Sequence, residues 1–264
     1  NRGFTEISSN ALGRMTHKLI LSEISEKIAK RFLVWSDFLH SGRPLILLIG
    51  GTAGVGKSTI ATEVGHRFGI VRTQSTDMLR EVMRMMTPQR LSPVLHASSY
   101  NAWQVQPGIN SNTPLTEQLL VAGYLRQTEL LSVACEAIIN RALHEKVSLI
   151  MEGVHIHPSL LKLIHQDNSA IIAPIMLSVL KAGKLKDRIK GRGKDVPERR
   201  SERYLKHFEE IWELQSHLMA EADRCHVSIV SNIDREKAIQ EVMKTINDIL
   251  EPHFSHDINK VFPV

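Results

Sequence analysis

The run Gly51-Thr52-Ala53-Gly54-Val55-Gly56-Lys57-Ser58 matches the pattern G-x-x-x-x-G-K-[S/T] at every fixed position. These residue types at this spacing bind phosphate. Glycines let successive backbone N–H groups turn toward one point and keep side chains out of the loop. A helix starting there adds the partial positive charge of its N-terminus. Lys57 then brings a point charge to the β- and γ-phosphates, and the Ser58 hydroxyl is a ligand for magnesium. The expected nucleotide-binding set is Gly51, Thr52, Ala53, Gly54, Val55, Gly56, Lys57, Ser58 and Thr59. ATP and Mg2+ are the cofactors this pattern implies, and phosphoryl transfer is the chemistry.

A carboxylate is needed near such a metal. Val147-Ser148-Leu149-Ile150-Met151 is an apolar run ending in Glu152-Gly153. It resembles a Walker B element with Glu in place of the usual Asp, so Glu152 joins Ser58 as a candidate metal ligand. Strand C-termini line the site in open α/β sheets, which favours this reading over a carboxylate that only ends a strand. Thr76-Asp77 follows a second short run and opens a helix. Asp77 there can take the proton of an acceptor hydroxyl, although Asp is also a good helix cap. Arg80 lies three residues on and Arg84 four further, so both can share that face. They suit a phosphate or carboxylate on the acceptor, or form a solvated basic face. His96-Ala97-Ser98-Ser99-Tyr100-Asn101-Ala102-Trp103 is dense in hydrogen-bonding groups within an irregular stretch. His96, Ser98, Ser99 and Tyr100 are candidate acceptor contacts, or belong to a packed loop anchored by Trp103. Arg126 is a further candidate, on a helix face it shares with Glu129.

A lid is expected, because transfer to water must be suppressed. Residues 186–203 offer Arg188, Arg192, Lys194, Arg199 and Arg200 for the charge of a migrating phosphoryl group. Gly191 and Gly193 would let the segment move, and a basic surface helix pair is the alternative. The expected catalytic set is Lys57, Asp77, Glu152, Arg188 and Arg192. His155 and His157 share a face of an extended segment. Two such ligands do not make a zinc site, so they read as site-lining or structural. A switch GTPase is disfavoured, since neither D-x-x-G nor N-K-x-D occurs.

These residues need a scaffold, and strand-like and helix-like runs alternate from residue 45 onward. Residues 45–49 are continuously apolar, as in a strand buried on both faces. Further strands are expected at 70–75, 147–151, 171–177 and 227–230. Helices are expected at 57–68, 77–86, 113–144, 198–222 and 234–250. Thr113 should cap the third of these, with Pro114 in its first turn and a break at Gly123. Residues 87–112 read as an irregular excursion. Such alternation makes a parallel sheet with helices on both faces. The fold class is α/β, a P-loop NTPase three-layer sandwich with a five-stranded, mainly parallel sheet. Residues 1–42 form a helical N-terminal extension, with Leu19, Ile20, Ile24, Ile28 and Phe32 at near-helical spacing. Residues 43–251 form the kinase domain and 252–264 a C-terminal tail.

With 42% hydrophobic and 23% charged residues, the 264-residue chain has the balance of a soluble globular protein. No run approaches the roughly 18–20 apolar residues of a membrane span. Asn1-Arg2-Gly3-Phe4 carries no signal-peptide core, and the two cysteines, Cys135 and Cys225, fit a reducing cytoplasmic location. A net charge of +5 suits nucleic acid, an anionic membrane or small anions. The densest basic cluster, 181–203, alternates with Asp187, Asp195, Glu198 and Glu202 and has no aromatic stacking platform. Phosphate handling is therefore preferred to nucleic-acid binding. The expected partner is a small anionic substrate, with no membrane; a homo-oligomer is left open.

Several stretches together are similar to the 2-phosphoglycerate kinase family of P-loop kinases. They are Ile49 through Ala61, Ser75-Thr76-Asp77-Met78-Leu79-Arg80-Glu81-Val82-Met83-Arg84, Leu95-His96-Ala97-Ser98-Ser99-Tyr100-Asn101-Ala102-Trp103 and Met151-Glu152-Gly153-Val154-His155-Ile156-His157-Pro158. The resemblance covers roughly residues 43 to 233. The first block is shared by many P-loop kinases, and the second and third are more specific. The resemblance implies ATP- and magnesium-dependent phosphorylation of 2-phosphoglycerate to 2,3-bisphosphoglycerate. The alternatives are another acceptor (a nucleoside, a sugar nucleotide or a polynucleotide end) and a regulatory nucleotide-binding protein with little transfer. Intact Lys57, Ser58, Asp77 and Glu152 argue against the last.

Overall fold

The computed structural model describes residues 7–163, 169–195 and 201–264. In chain order the elements are α1 (Ser9–Glu23), α2 (Glu26–Ser41), β1 (Leu45–Gly50), α3 (Lys57–Phe68), β2 (Thr73–Ser75), α4 (Thr76–Met86), α5 (Pro93–His96), α6 (Glu117–His144), β3 (Leu149–Gly153), β4 (Ile171–Ser178), α7 (Ala182–Asp195), α8 (Ser201–Lys206), α9 (Phe208–Arg224), β5 (Ser228–Ser231), α10 (Arg235–Leu250) and α11 (Ile258–Val261). They fall into two compact units, Asn1–Arg43 with Met243–Val264, and Pro44–Val242.

The larger unit holds one five-stranded sheet in the order β2-β3-β1-β4-β5. Every pairing is parallel, so the sheet is wholly rather than mainly parallel. β1 is central and buried along its whole length, which is why Leu45 to Ile49 can be apolar at each position. Ile46 and Leu48 pack with Leu149 and Met151 of β3 and with Cys135, Ile139 and Ala142 of α6. Burial pushes the Cys135 thiol up to about 12, so it behaves as a core residue. The register sets the chemistry: Ile49 lies beside Glu152, and Glu152 lies beside Ser75. Three neighbouring strands therefore end level, and the segments that follow them open on one edge of the sheet. This is a P-loop NTPase α/β fold.

Several boundaries differ from expectation for identifiable reasons. The strand expected at 70–75 is confined to Thr73–Ser75, because the Ile70 N–H donates to the Gly65 carbonyl and still belongs to the end of α3. α6 starts at Glu117, capped by Thr116, whose hydroxyl accepts from the Leu119 N–H. Thr113 instead accepts from the Asn110 N–H within the preceding turn. Gly123 does not break α6. A Cβ there would lie 2.3 Å from the Trp103 backbone nitrogen, so it is the site where residues 102–103 approach the helix. The single helix expected at 198–222 is two, α8 and α9, separated at His207; residues 198–200 lie outside the described ones. The 87–112 excursion contains α5 and a 3-10 turn at Ala102–Val105.

In the smaller unit the Ser25 hydroxyl accepts from the Ile28 N–H and starts α2. Its buried face is Ala29, Leu33, Val34 and Phe38, whereas Leu19, Ile24 and Ile28 are exposed. Leu33 packs with Val261 and Phe262. Phe38 meets Phe254 edge-on at 5.4 Å. Residues 252–264 thus carry α11 and supply aromatic groups to this unit. Among the described residues no helix is long and apolar enough to cross a membrane.

Candidate active site

The loop between β1 and α3 is built for an anion. Gly51, Gly54 and Gly56 all have positive φ. Gly56 stands at the N-cap of α3 and offers no side chain to its first N–H groups. Those donors are left for a ligand, at the positive end of the helix dipole. Lys57, almost buried, donates from Nζ to the Thr52 carbonyl at 2.9 Å. Ser58 Oγ donates to Glu152 Oε1 at 2.9 Å, so the hydroxyl at the helix start and the carboxylate at the end of β3 meet directly. The back of the loop is held by Asn232, whose amide donates to the Val55 carbonyl at 2.8 Å. Arg188 joins it there, donating to the Val55 carbonyl at 3.4 Å and to the Ile233 carbonyl at 3.2 Å. Burial holds the Arg188 guanidinium below its usual pKa. Asn232 was not expected from the sequence. Its signal is position alone: it follows the C-terminal end of β5, where open α/β sheets place ligands.

The second half of the site starts at the end of β2. Ser75 caps α4 by accepting from the Asp77 N–H at 3.2 Å. Asp77 is exposed in the first helical turn, and Arg80, one turn on, donates to the Ala97 carbonyl. Helix α4 and the 94–101 segment are thereby joined. Ser98 Oγ accepts from the Arg203 guanidinium at 2.8 Å. Tyr100 is buried and meets the rings of Tyr204 at 5.8 Å and His207 at 5.1 Å.

A cavity of about 690 Å³ unites the two halves. Ala53, Lys57, Ser58 and Glu152 line its side toward the β1–α3 loop; Asp77, Arg80, Ser98, Ser99 and Tyr100 line the other. His155 and Tyr204 also face it. Three expected contacts lie elsewhere. Arg84 pairs with Glu81 at 2.5 Å. The His96 ring bonds the Thr87 carbonyl at 2.9 Å and so anchors the excursion. Arg126 pairs with Glu129 at 2.7 Å and lines a separate cavity of about 640 Å³ with His157. Of the expected lid, Arg188 grips the loop and Arg203 reaches Ser98. Arg199 and Arg200, and the side chains of Arg192 and Lys194, lie outside the described residues.

The arrangement has a phosphate cradle, a hydroxyl–carboxylate pair and a polar pocket with one exposed carboxylate. No protein-family profile matches the chain. Curated relatives do. The 2-phosphoglycerate kinase of Methanopyrus kandleri is 35% identical over 95% of this chain and 75% of its own length. That of Methanocaldococcus jannaschii is 35% identical over 91% and 75%, and that of Pyrococcus horikoshii 31% over 93% and 78%. The chain belongs to the 2-phosphoglycerate kinase family. It is accordingly a kinase, a phosphotransferase with an alcohol group as acceptor. Solved structures that overlap it include a gluconokinase from Sinorhizobium meliloti 1021, 16% identical, covering 79% of this chain and 93% of its own, at a TM-score of 0.37. A shikimate kinase from Bacteroides thetaiotaomicron is 15% identical over 79% and 98%, at 0.36. Those overlaps are too slight to add to the fold read from the sheet itself.

Proposed function

We propose that the protein transfers the γ-phosphoryl group of ATP to the free hydroxyl of 2-phosphoglycerate, giving 2,3-bisphosphoglycerate and ADP, in the cytoplasm. The observation that carries this is the single cavity in which the loop residues Lys57 and Ser58 face Asp77, Arg80 and Ser98. The phosphates of ATP lie on the unserved N–H groups of α3, with Lys57 as the counter-charge. Arg80 and the Ser98–Ser99 hydroxyls hold the phosphate and carboxylate of the acceptor. Asp77, exposed in the same space, takes the proton as the acceptor oxygen bonds to the γ-phosphorus and the bond to the ADP oxygen breaks. The residues present fit magnesium. Ser58 Oγ and Glu152 are hard oxygen donors already in contact. Two such oxygen donors suit an ion that keeps several waters and shares phosphate oxygens. When bound it supplies charge neutralisation at the phosphates. Arg188 acts from behind the loop.

The test is ADP release from Mg-ATP across an acceptor panel of 2-phosphoglycerate, 3-phosphoglycerate, nucleosides and sugar nucleotides. Stimulation by 2-phosphoglycerate alone is the expected result. Stimulation by another acceptor only would keep the kinase and discard the substrate. Tight ATP binding without acceptor-dependent release would indicate a regulatory nucleotide-binding protein.

A further inference from the structure

His155 follows the candidate metal carboxylate by three residues, faces the cavity, and has no part in the chemistry above. It is 2% exposed, between Thr76 and Gln127, which are both 0% exposed. Its Nε2 lies 2.8 Å from Gln127 Oε1 and its Nδ1 3.1 Å from Thr76 Oγ1. The Gln127 amide nitrogen donates to the carbonyls of Val94 at 2.5 Å and Ala97 at 3.0 Å, which turns its oxygen toward the imidazole. An amide oxygen only accepts, so Nε2 carries the proton. Nδ1 then holds a lone pair, and the Thr76 hydroxyl donates to it. Tyr124 closes one side, its ring nearly parallel to the imidazole at 6.5 Å and its hydroxyl donating to the Val154 carbonyl at 2.8 Å.

We propose that His155 is a positioning residue: fixed as its Nε2–H tautomer by Gln127, it holds Thr76 and so sets Asp77 at the start of α4 relative to Glu152 at the end of β3. Thr76 is the first residue of α4 and Asp77 the second. Arg80 of the same helix donates to the Ala97 carbonyl, which also accepts from Gln127. One hydrogen-bonded chain therefore ties both acceptor-side residues of α4 to α6 and to the 94–97 segment. His155 is not itself the base. Its one lone pair is engaged by Thr76, and burial keeps the ring neutral.

This inference rests on the reading of Asp77 as the proton acceptor, and two amide substitutions test it. His155→Asn keeps an acceptor at the Nδ1 position; His155→Gln keeps a donor at the Nε2 position and leaves Thr76 without a partner. With 2-phosphoglycerate as acceptor, His155→Gln should lose at least about tenfold more kcat than His155→Asn, at similar KM for ATP. Thr76→Val should match His155→Gln, and the double variant should be no worse than either. Equal loss in the two amide variants, or an additive double, overturns the proposal. Nitrogen-15 NMR of histidine-labelled wild type is independent of turnover. One imidazole should show Nε2–H and a bare Nδ1 throughout pH 5–8, and should change in Gln127→Leu. An Nδ1–H signature for that ring overturns the proposal even if another acceptor proves to be the substrate.

Discussion

Gly153→Ala tests the tightest approach at the site. Gly153 ends β3 with φ +156, and a Cβ there would lie 1.7 Å from Thr76 Oγ1 and 2.7 Å from Thr76 Cβ. Ordinary contact begins near 3.4 Å, so Thr76 must retreat by roughly 1.7 Å. Thr76 is fully buried and bonded to His155, so it cannot swing away into solvent. Overpacking costs about 1–3 kcal/mol and a broken buried hydrogen bond about 1–3 more, which gives an expected loss of about 2–6 kcal/mol. The same movement carries Asp77, and a shift of about 1 Å costs on the order of a hundredfold in turnover. Gly69→Ala is the control. Its φ of +66 lies in the left-handed region, which also disfavours a side chain, yet nothing lies within 4 Å of the added Cβ. It should lose about 1–2 kcal/mol from backbone strain alone and leave turnover intact. Urea unfolding gives the stabilities, and ADP release with saturating acceptor gives the rates. If Gly153→Ala is no less stable than Gly69→Ala and keeps more than about a tenth of wild-type turnover, the close approach of β3 to α4 is not what orders Asp77.

Lys57→Ala should abolish transfer, by at least about a thousandfold in kcat, with the circular dichroism unchanged; residual turnover above a tenth would remove Lys57 from the mechanism. Asp77→Asn should cost at least about a hundredfold in kcat, and turnover within about threefold of wild type would show that Asp77 is not the base. Arg80→Ala should raise the acceptor KM more than it lowers kcat, and the reverse pattern would move its contact into the transition state. Burial lowers the His155 pKa to about 3 from 6.5, with Arg80 and Lys57 acting in the same direction and Asp77 opposing them. The unfolded chain therefore binds the proton first, and stability falls as pH drops from 6.5 toward 3, by about 2 kcal/mol at pH 5. Unfolding free energies from urea titrations at pH 7.5 and 5 should differ by that much less in His155→Asn, and an unchanged difference would refute the assignment.

The phosphate loop was legible because its demands are local. Glycines at 51, 54 and 56, a preceding apolar strand and a following amphipathic helix lie within a few residues of one another, and each constrains only its own backbone. Glu152 was legible for a similar reason, since an apolar run ending in a carboxylate marks a strand end. The errors occur where one residue type suits two nearby positions. Thr113 and Thr116 can each cap a helix; a proline at the next position favoured the first, but the hydroxyl of Thr116 meets the Leu119 N–H. Arg84 and Arg126 show another limit. Helical spacing tells which residues share a face, not what that face meets, and these two meet Glu81 and Glu129. The contacts of His155 were out of reach because they join three segments, around residues 76, 127 and 155, through a strand register that none of them encodes alone.

The same contrast separates the two substrates of a kinase. The nucleotide's phosphates, on the proposed reading, meet one continuous loop and the first turn of one helix, so a short motif announces them. The acceptor side, on the same proposed reading, is assembled from α4, the 94–101 segment and α8. Arg80 arrives at the Ala97 carbonyl from one direction and Arg203 at the adjacent Ser98 hydroxyl from another. Neither arginine has a spacing relative to the other that local periodicity could reveal. Two kinases can thus share the loop at every fixed position and still differ in the contacts that reach the 97–98 segment. Acceptor identity in this fold follows from which side chains the parallel strand ends bring together. A substitution at Arg203 should therefore change the order of preference among acceptors before it changes the affinity for ATP.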